Sequence, residues 1–337
     1  MFKWAFHISR IIKIGYTLSK HDALMDLLVL FGEQPKALER LRKFNIKYDV
    51  DGKPETKLVI ALQGLGPSFI KIGQALATRP DIIGPEVAFD LLKLQDEVPP
   101  FPGAEAKEII EKSLGATTEE LYKEFNEEPI AAASIAQVHM ATSIDGKKVA
   151  VKVLRPGIAK AFSRDLDAFR WVAGIMELFS NEARRLRPSK VVDTIADVIA
   201  LEMDLRIEAA AAAELKQNTK NNPHYDVPEV DWDRTSRQVL TTNWVDGISF
   251  KARADIIKAG LDPNILADNL VQSFLSQALN DGYFHADLHQ GNLFACDNNK
   301  VTAIDFGIMG RIDLKTRRVL ADILYGFATQ DYDRIAK

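Results

Sequence analysis

The chain has 337 residues, 47% apolar and 27% charged, the profile of an ordinary globular protein with room for two lobes and a sizeable core. A formal charge of −4 and a pI near 5.9 argue against broad nucleic-acid binding, and the single cysteine, Cys296, excludes an intrachain disulfide framework or a cysteine-rich zinc site. The sequence has no apolar run of membrane-spanning length, and charges interrupt the N-terminal apolar residues too often for a secretory signal.

Residues 1–20 carry four Lys/Arg side chains and no acid, and they read as a helix. On a helical wheel Lys3, His7, Arg10, Thr17 and Lys20 share one face, with Trp4, Phe6, Ile8, Ile11 and Ile12 over the others. The favoured reading is a helix packed on its own protein; the alternative is a basic amphipathic helix on an anionic membrane surface. Residues 1–95 are mostly helical, punctuated by "DGKP", "GLGP" and "RPDIIGP", and "DEVPPFPG" at 96–103 marks a break. Beyond it, "QVHMATSIDGKKVAVKVL" places alternating β-formers on both sides of a turn, a hairpin signal. A helical stretch over 158–222 follows, with at least two helices and the strongly helix-forming "EAAAAAE" at 208–214. "RQVLTTNWVDG" (237–247) reads as a strand with a hinge near Asp246–Gly247; helices resume over 250–280, and "VTAID" is a further short strand. Three consecutive regions are expected: a helical extension at 1–100, a β-containing lobe with a helical insert at 101–246, and a helical lobe at 247–337.

"HADLHQGNLF", residues 285–294, concentrates the polar chemistry. As a metal site, His285, Asp287 and His289 would have to converge from three alternate positions of one short segment, which is unfavourable geometry for a two-histidine, one-carboxylate iron centre. As a phosphotransfer loop the stretch works better. Asp287 would orient or deprotonate the attacking group, Asn292 would reach a magnesium ion, and Asp305 of "DFG" would hold metal against nucleotide phosphates. Phosphoryl transfer needs in-line positioning and neutralisation of spreading negative charge, and these side chains supply both. A phosphate-holding lysine is then required upstream. Lys152 of "VAVKVL" is placed by period-2 alternation on the face opposite its valine neighbours, and an unpaired ammonium there would be costly. "LEMDLRIEAA" offers Glu202, Asp204 and Glu208 as partners, and the spacing leaves open which glutamate pairs with Lys152. Strand lysine, helix glutamate, Asp–x4–Asn and DFG, in that order, define an α+β, protein-kinase-like two-lobed fold with a helical N-terminal extension. No glycine-rich loop precedes the lysine strand; "AAASIAQVH" (131–139) stands in its place, and alanine lacks glycine's access to positive φ.

With these motifs the chain resembles the atypical kinase-like family of ubiquinone-biosynthesis proteins, the UbiB group and its mitochondrial relatives. "KIGQ" (71–74) is similar to the family's K-x-G-Q motif, "AAASIAQVH" to its alanine-rich nucleotide loop, and Glu202-Met203-Asp204 to its E-x-D motif. The resemblance implies that Ala131, Ala132, Ala133, Ser134, Ile135 and Ala136 cover ATP or ADP. It pairs Lys152 with Glu208, with Glu202 as second choice, places Asp287 as catalytic base, and gives magnesium to Asn292 and Asp305. Lys71, Gln74, Glu202 and Asp204 would restrict the active site, favouring ATP hydrolysis or a small lipid-like acceptor over protein phosphorylation. The alternative is a non-catalytic scaffold switched by nucleotide. Implied partners are a quinone precursor or membrane surface and other quinone-biosynthesis proteins, with no nucleic acid, and a cytoplasmic location peripheral to the inner membrane. Full-length relatives continue into C-terminal membrane helices, whereas this chain ends at "DYDRIAK", so its C-terminal lobe reads as truncated; an Asn is also expected near Ala211. His285 is read as a brace for the loop and His289 as a bystander on the substrate side.

Overall fold

The computed structural model describes residues 2–21, 57–77, 80, 84–92, 94, 99–179 and 181–332. The helical and turn readings over 22–56, parts of the punctuation at 78–83 and 95–98, and the last five residues lie outside them, as do the side chains of residues 1–8.

In chain order the helices are α1 (Phe2–Lys20), α2 (Lys57–Leu65), α3 (Pro67–Ala77), α4 (Pro85–Leu91), α5 (Gly103–Leu114), α6 (Thr118–Leu121), α7 (Ile158–Phe179), α8 (Asn181–Leu186), α9 (Pro188–Glu202), α10 (Leu205–Thr219), α11 (Arg253–Lys258), α12 (Pro263–Ser276) and α13 (Leu314–Thr329). The strands are β1 (Tyr122–Phe125), β2 (Ala131–Ala132), β3 (Ala136–Ser143), β4 (Lys148–Leu154), β5 (Tyr225–Asp226), β6 (Val239–Asn243), β7 (Ile248–Ser249), β8 (Tyr283–His285), β9 (Leu293–Cys296), β10 (Lys300–Ala303) and β11 (Met309–Arg311).

The chain forms two compact units that interleave along the sequence. One comprises Met1–Glu105, Pro129–Val138 and Leu154–Ala200; the other comprises Ala106–Glu128, His139–Val153 and Leu201–Lys337. The three consecutive regions read from the sequence, 1–100, 101–246 and 247–337, stand as a proposal.

The first unit is helical, with a core that includes Leu18, Leu58, Leu62, Phe69, Leu91 and Leu94. α1 packs within it. Arg10, assigned by the wheel to the polar face, instead turns inward: its Nε donates to Asp165 Oδ1 at 2.6 Å and its Nη2 to Oδ2 at 2.9 Å, and the guanidinium lies 5.6 Å over the Phe69 ring. Asp165 sits on α7 with its side chain only 2% exposed, and such a carboxylate needs a fixed counter-ion. That contact favours the reading of α1 as a helix packed on its own protein.

The second unit holds most of the strands, while β2 and the first residues of β3 belong to the first. The expected hairpin is present: β3 and β4 are adjacent, joined through Gly146 at φ 84, and the sheet runs β1-β3-β4-β6. β4 alternates as its sequence requires, with Val149, Val151 and Val153 buried on one face and Ala150 and Lys152 half-buried on the other. Lys152 lies opposite Leu240 of β6. Within β3, His139 is fully buried, stacked at 5.0 Å on Phe125, and its Nδ1 bonds the Asn126 carbonyl at 2.8 Å. A second sheet runs β5-β10-β9-β7, and a two-stranded ribbon pairs β11 with β8. β9 was not separable from the polar decamer in the sequence; it emerges only as the partner of β10, with Leu293 opposite Ala303 and Cys296 opposite Lys300. α10 begins at an Asp204 N-cap and is carried by its alanines; α13 begins at an Asp313 N-cap that accepts from Thr316 N at 2.8 Å. A π-helical segment, Gln277–Asp281, leads from α12 to Gly282, where a Cβ would lie 2.6 Å from the Ile312 carbonyl. No described helix is long and apolar enough to cross a membrane.

Replacing Arg10 by Ala removes both close bonds to the buried Asp165 carboxylate and leaves it only the longer 3.9 Å approach of the half-exposed Arg164, and is expected to cost about 3 kcal/mol in urea unfolding. Burial pushes the His139 imidazole below its ordinary pKa, so the unfolded chain binds a proton more readily than the folded one. The His139 contribution is therefore present above the ordinary histidine range and is lost as pH falls through it. The urea midpoint should drop between about pH 7 and 5, and His139→Gln should flatten that slope.

Candidate active site

Lys152 is the centre of the site. Its Nζ donates to both carboxylate oxygens of Glu208, at 2.8 and 2.9 Å, and to Asp305 Oδ1 at 3.3 Å. The lysine and glutamate side chains are 17% and 10% exposed, and that of Asp305 is 49% exposed. Burial disfavours the ammonium, but Asp305 and Glu208 more than offset it and hold the lysine pKa well above its ordinary value. Burial also raises the Glu208 carboxyl, opposed by the Lys152 charge and by the Phe306 backbone N–H. The outcome is a fixed cation with one dry carboxylate behind it and one wetter carboxylate in front.

The choice between Glu202 and Glu208 is thereby made for Glu208. Glu202 ends α9 and Glu208 lies in the first turn of α10, because the chain breaks at Met203–Asp204 rather than running as one helix. Asp204 caps α10 by accepting from Arg206 N at 3.2 Å, and it pairs with the Arg206 guanidinium at 2.6 Å. Ala211, where the resemblance leads one to expect Asn, is half-buried one turn beyond Glu208.

Two strand pairings bring the remaining residues together. The β9–β10 register continues one step further, with Ile304 N donating to Asn292 O at 2.9 Å, so Asn292 and Asp305 flank the same end of one hairpin. The β11–β8 pairing sets Met309 opposite His285, and Ala286 N donates to Ile308 O at 3.1 Å, so the ribbon ends at the residue before Asp287. Asn292 Nδ2 donates to the Asp287 carbonyl at 3.1 Å, which turns Oδ1 to the other side of the amide. Asp305 adopts φ 60, a conformation that Asp tolerates better than most residues. His285 is buried; its Nδ1 accepts from Asp287 N at 3.1 Å, so the proton sits on Nε2, which donates to Ile304 O at 3.2 Å. Phe306 packs edge-on against the same ring at 5.4 Å. Both nitrogens of His285 are thus committed to the backbone, which removes it as an iron ligand and makes it the expected brace.

The donor set suits magnesium. Asn292 and Asp305 offer hard oxygens, and this ion is normally held by one or two such side chains together with substrate phosphates. Among the described residues no cluster of three or more His, Cys, Asp or Glu side chains could hold an ion unaided.

In the first unit, Ala133 N donates to Ala136 O at 2.8 Å, closing Ala131–Ala136 into a tight turn in which Ser134 is buried. Arg155, which the sequence did not single out, fastens that turn. Its Nε donates to Ala133 O at 2.9 Å, its backbone N to Ile135 O at 2.8 Å, and its Nη1 to Pro99 O at 3.0 Å. The signal available was an arginine three residues after the lysine. Lys71 and Gln74 lie on α3, where Gln74 Nε2 donates to Leu94 O at 3.3 Å. Gly73 between them is a packing residue: a Cβ there would stand 2.3 Å from Leu94 Cδ1 and 3.0 Å from Leu62 Cδ1. Gly73→Ala should destabilise the first unit by about 1–3 kcal/mol in chemical denaturation, because the surrounding leucines are themselves buried.

A strand lysine bonded to a helix glutamate, a loop braced on its histidine and a DFG turn joined to it by strand pairing make this a protein-kinase-like fold of the α+β class. The chain belongs to the ABC1 atypical kinase-like domain family, whose model matches residues 93–337. It is 44% identical over 285 residues to a probable protein kinase UbiB of Marinobacter nauticus, covering 83% of this chain and 52% of that relative. It is 39% identical over 285 residues to the Pseudomonas putida protein of the same name, covering 83% of this chain and 53% of that one. The chain therefore spans about half the length of these relatives. Among solved structures it resembles Mycobacterium tuberculosis Rv3197, determined as a complex with erythromycin, with a TM-score of 0.58 and 26% identity over 89% of this chain and 73% of the other.

Proposed function

We propose that this chain binds ATP with magnesium and uses it for hydrolysis or for phosphoryl transfer to a small, lipid-like acceptor, in support of ubiquinone biosynthesis. The observation that carries the reading is the Lys152 ammonium held at 2.8–2.9 Å by Glu208 and at 3.3 Å by the more exposed Asp305. A lysine fixed in this way presents positive charge to phosphate oxygens without having to reorganise when they arrive. Asn292 Oδ1 and the Asp305 carboxylate would hold the magnesium ion, which supplies charge neutralisation between the phosphates. Asp287, half exposed at the loop, would accept the proton of the attacking hydroxyl or water. The process and acceptor class rest on the family resemblance, which also assigns Lys71, Gln74, Glu202 and Asp204 to restricting access and the alanine-rich turn to the nucleotide. The same resemblance suggests a membrane surface or other quinone-biosynthesis proteins as partners.

Titration with a fluorescent ATP analogue and magnesium tests the reading. Lys152→Ala and Asp305→Asn should each weaken binding at least tenfold, and unchanged affinity in both would overturn it. Asp287→Asn should keep that affinity while turnover falls about 10²-fold or more, the range for loss of a general base. Retained turnover in that variant would remove Asp287 from the chemistry. Binding without turnover in the unaltered chain would leave the nucleotide-switched scaffold in place.

A further inference from the structure

The catalytic-type loop contains a second histidine that no role so far accounts for, and its geometry is fixed from two sides. His289 caps the short helical turn Gln290–Asn292, its Nδ1 accepting from Gly291 N at 3.0 Å. With Nδ1 used as an acceptor, the ring proton lies on Nε2. The ring also rests where a side chain at 291 would go: a Cβ on Gly291 would meet His289 Cε1 at 2.8 Å, Nδ1 at 3.0 Å and Lys251 Cε at 3.1 Å. A side chain at 291 would therefore have to displace the imidazole or the end of the Lys251 stem, so glycine there leaves the ring its place against the loop backbone. Held so, Nε2 stands 3.9 Å from Asp287 Oδ2. The backbone closes the same ring of contacts, with His289 N donating to Asp287 O at 3.0 Å and Asn292 N to His289 O at 2.9 Å.

We propose that His289 is a positioning residue for Asp287, directing its Nε2–H at Oδ2 so that Oδ1 is left facing the group to be deprotonated. The inference deepens the reading of Asp287 as the base and rests on it for its catalytic consequence, but the coupling of the two side chains can be tested without turnover.

The two ring nitrogens can be separated by substitution. An Asn amide reaches about as far as Nδ1 and can keep the bond to Gly291 N while losing the donor to Asp287. A Gln amide reaches about as far as Nε2 and does the reverse. The first measurement is nitrogen NMR of histidine-labelled protein, with His289 assigned by its disappearance in His289→Asn. Asp287→Asn should shift the His289 Nε2 resonance and leave that of His285 in place, because His285 is bonded to the Asp287 backbone rather than its carboxylate. An unmoved His289 signal overturns the proposal whatever the enzyme does. The second measurement is steady-state turnover with magnesium and ATP. His289→Asn should lose tenfold or more in kcat with KM for ATP within twofold of the original, and His289→Gln should recover most of that loss. Equal kcat in His289→Asn and the unaltered chain overturns the proposal. If the unaltered chain does not turn over ATP, the functional reading fails while the resonance shift still decides whether His289 and Asp287 are coupled.

Discussion

Everything at the site depends on one ammonium group that the fold keeps charged. Lys152 sits on a sheet face largely removed from water, where a bare cation would be strongly disfavoured; Glu208 makes it tolerable, and Asp305 draws it toward the open side. The two carboxylates do different things because their surroundings differ. Glu208 is dry and bidentate, so it fixes position. Asp305 is half exposed, and its bond to Lys152 is single and longer, beside one from Gly307 N at 3.4 Å, so it is the carboxylate placed to meet a competing cation.

Hydrogen-bond register does for the loop what charge does for the lysine. A hairpin carries Asn292 and Asp305 at one end, and a two-stranded ribbon ends just before Asp287, so three side chains separated in sequence are brought to the loop by backbone pairing. Side chains then lock the backbone in return. His285 spends both ring nitrogens on main-chain groups on either side of the site, and Asn292 bonds the carbonyl of Asp287. Asp305 holds a positive φ of 60 beside the hairpin whose far turn carries Asn298 and Asn299 at φ 59 and 55.

The family's characteristic motifs in the first unit have a structural rationale of their own. Glycine and glutamine of "KIGQ" both engage the Leu91–Leu94 segment, the glycine by allowing leucines to close on the helix and the glutamine by bonding a backbone carbonyl. The alanine-rich turn lacks glycine's freedom, and its shape is instead held by Arg155, which bonds Ala133 O and Ile135 O within the turn and Pro99 O outside it. A guanidinium is well suited to that task because its planar fork offers several donors at once.

What the sequence determined by itself was local and ordered. Period-2 alternation placed Lys152 opposite its valines, the "IDG" turn marked the hairpin, and the succession of Lys152, a helix glutamate, Asp287–x4–Asn292 and Asp305 was enough to name the fold class. These signals are readable because each depends on neighbours within a few residues. The tertiary structure decided what depends on distant partners. Glu202 and Glu208 are chemically equivalent in the sequence, and only the helix break at Met203–Asp204 and the approach of β4 select the second. Arg10 belongs to a polar stripe on a wheel, yet a buried Asp165 far along the chain turns it inward. His289 was visible as a histidine in a polar loop and Arg155 as an arginine three residues after the lysine, but such residues are ordinary there; their significance lies in which oxygen or nitrogen atoms folding brings within reach.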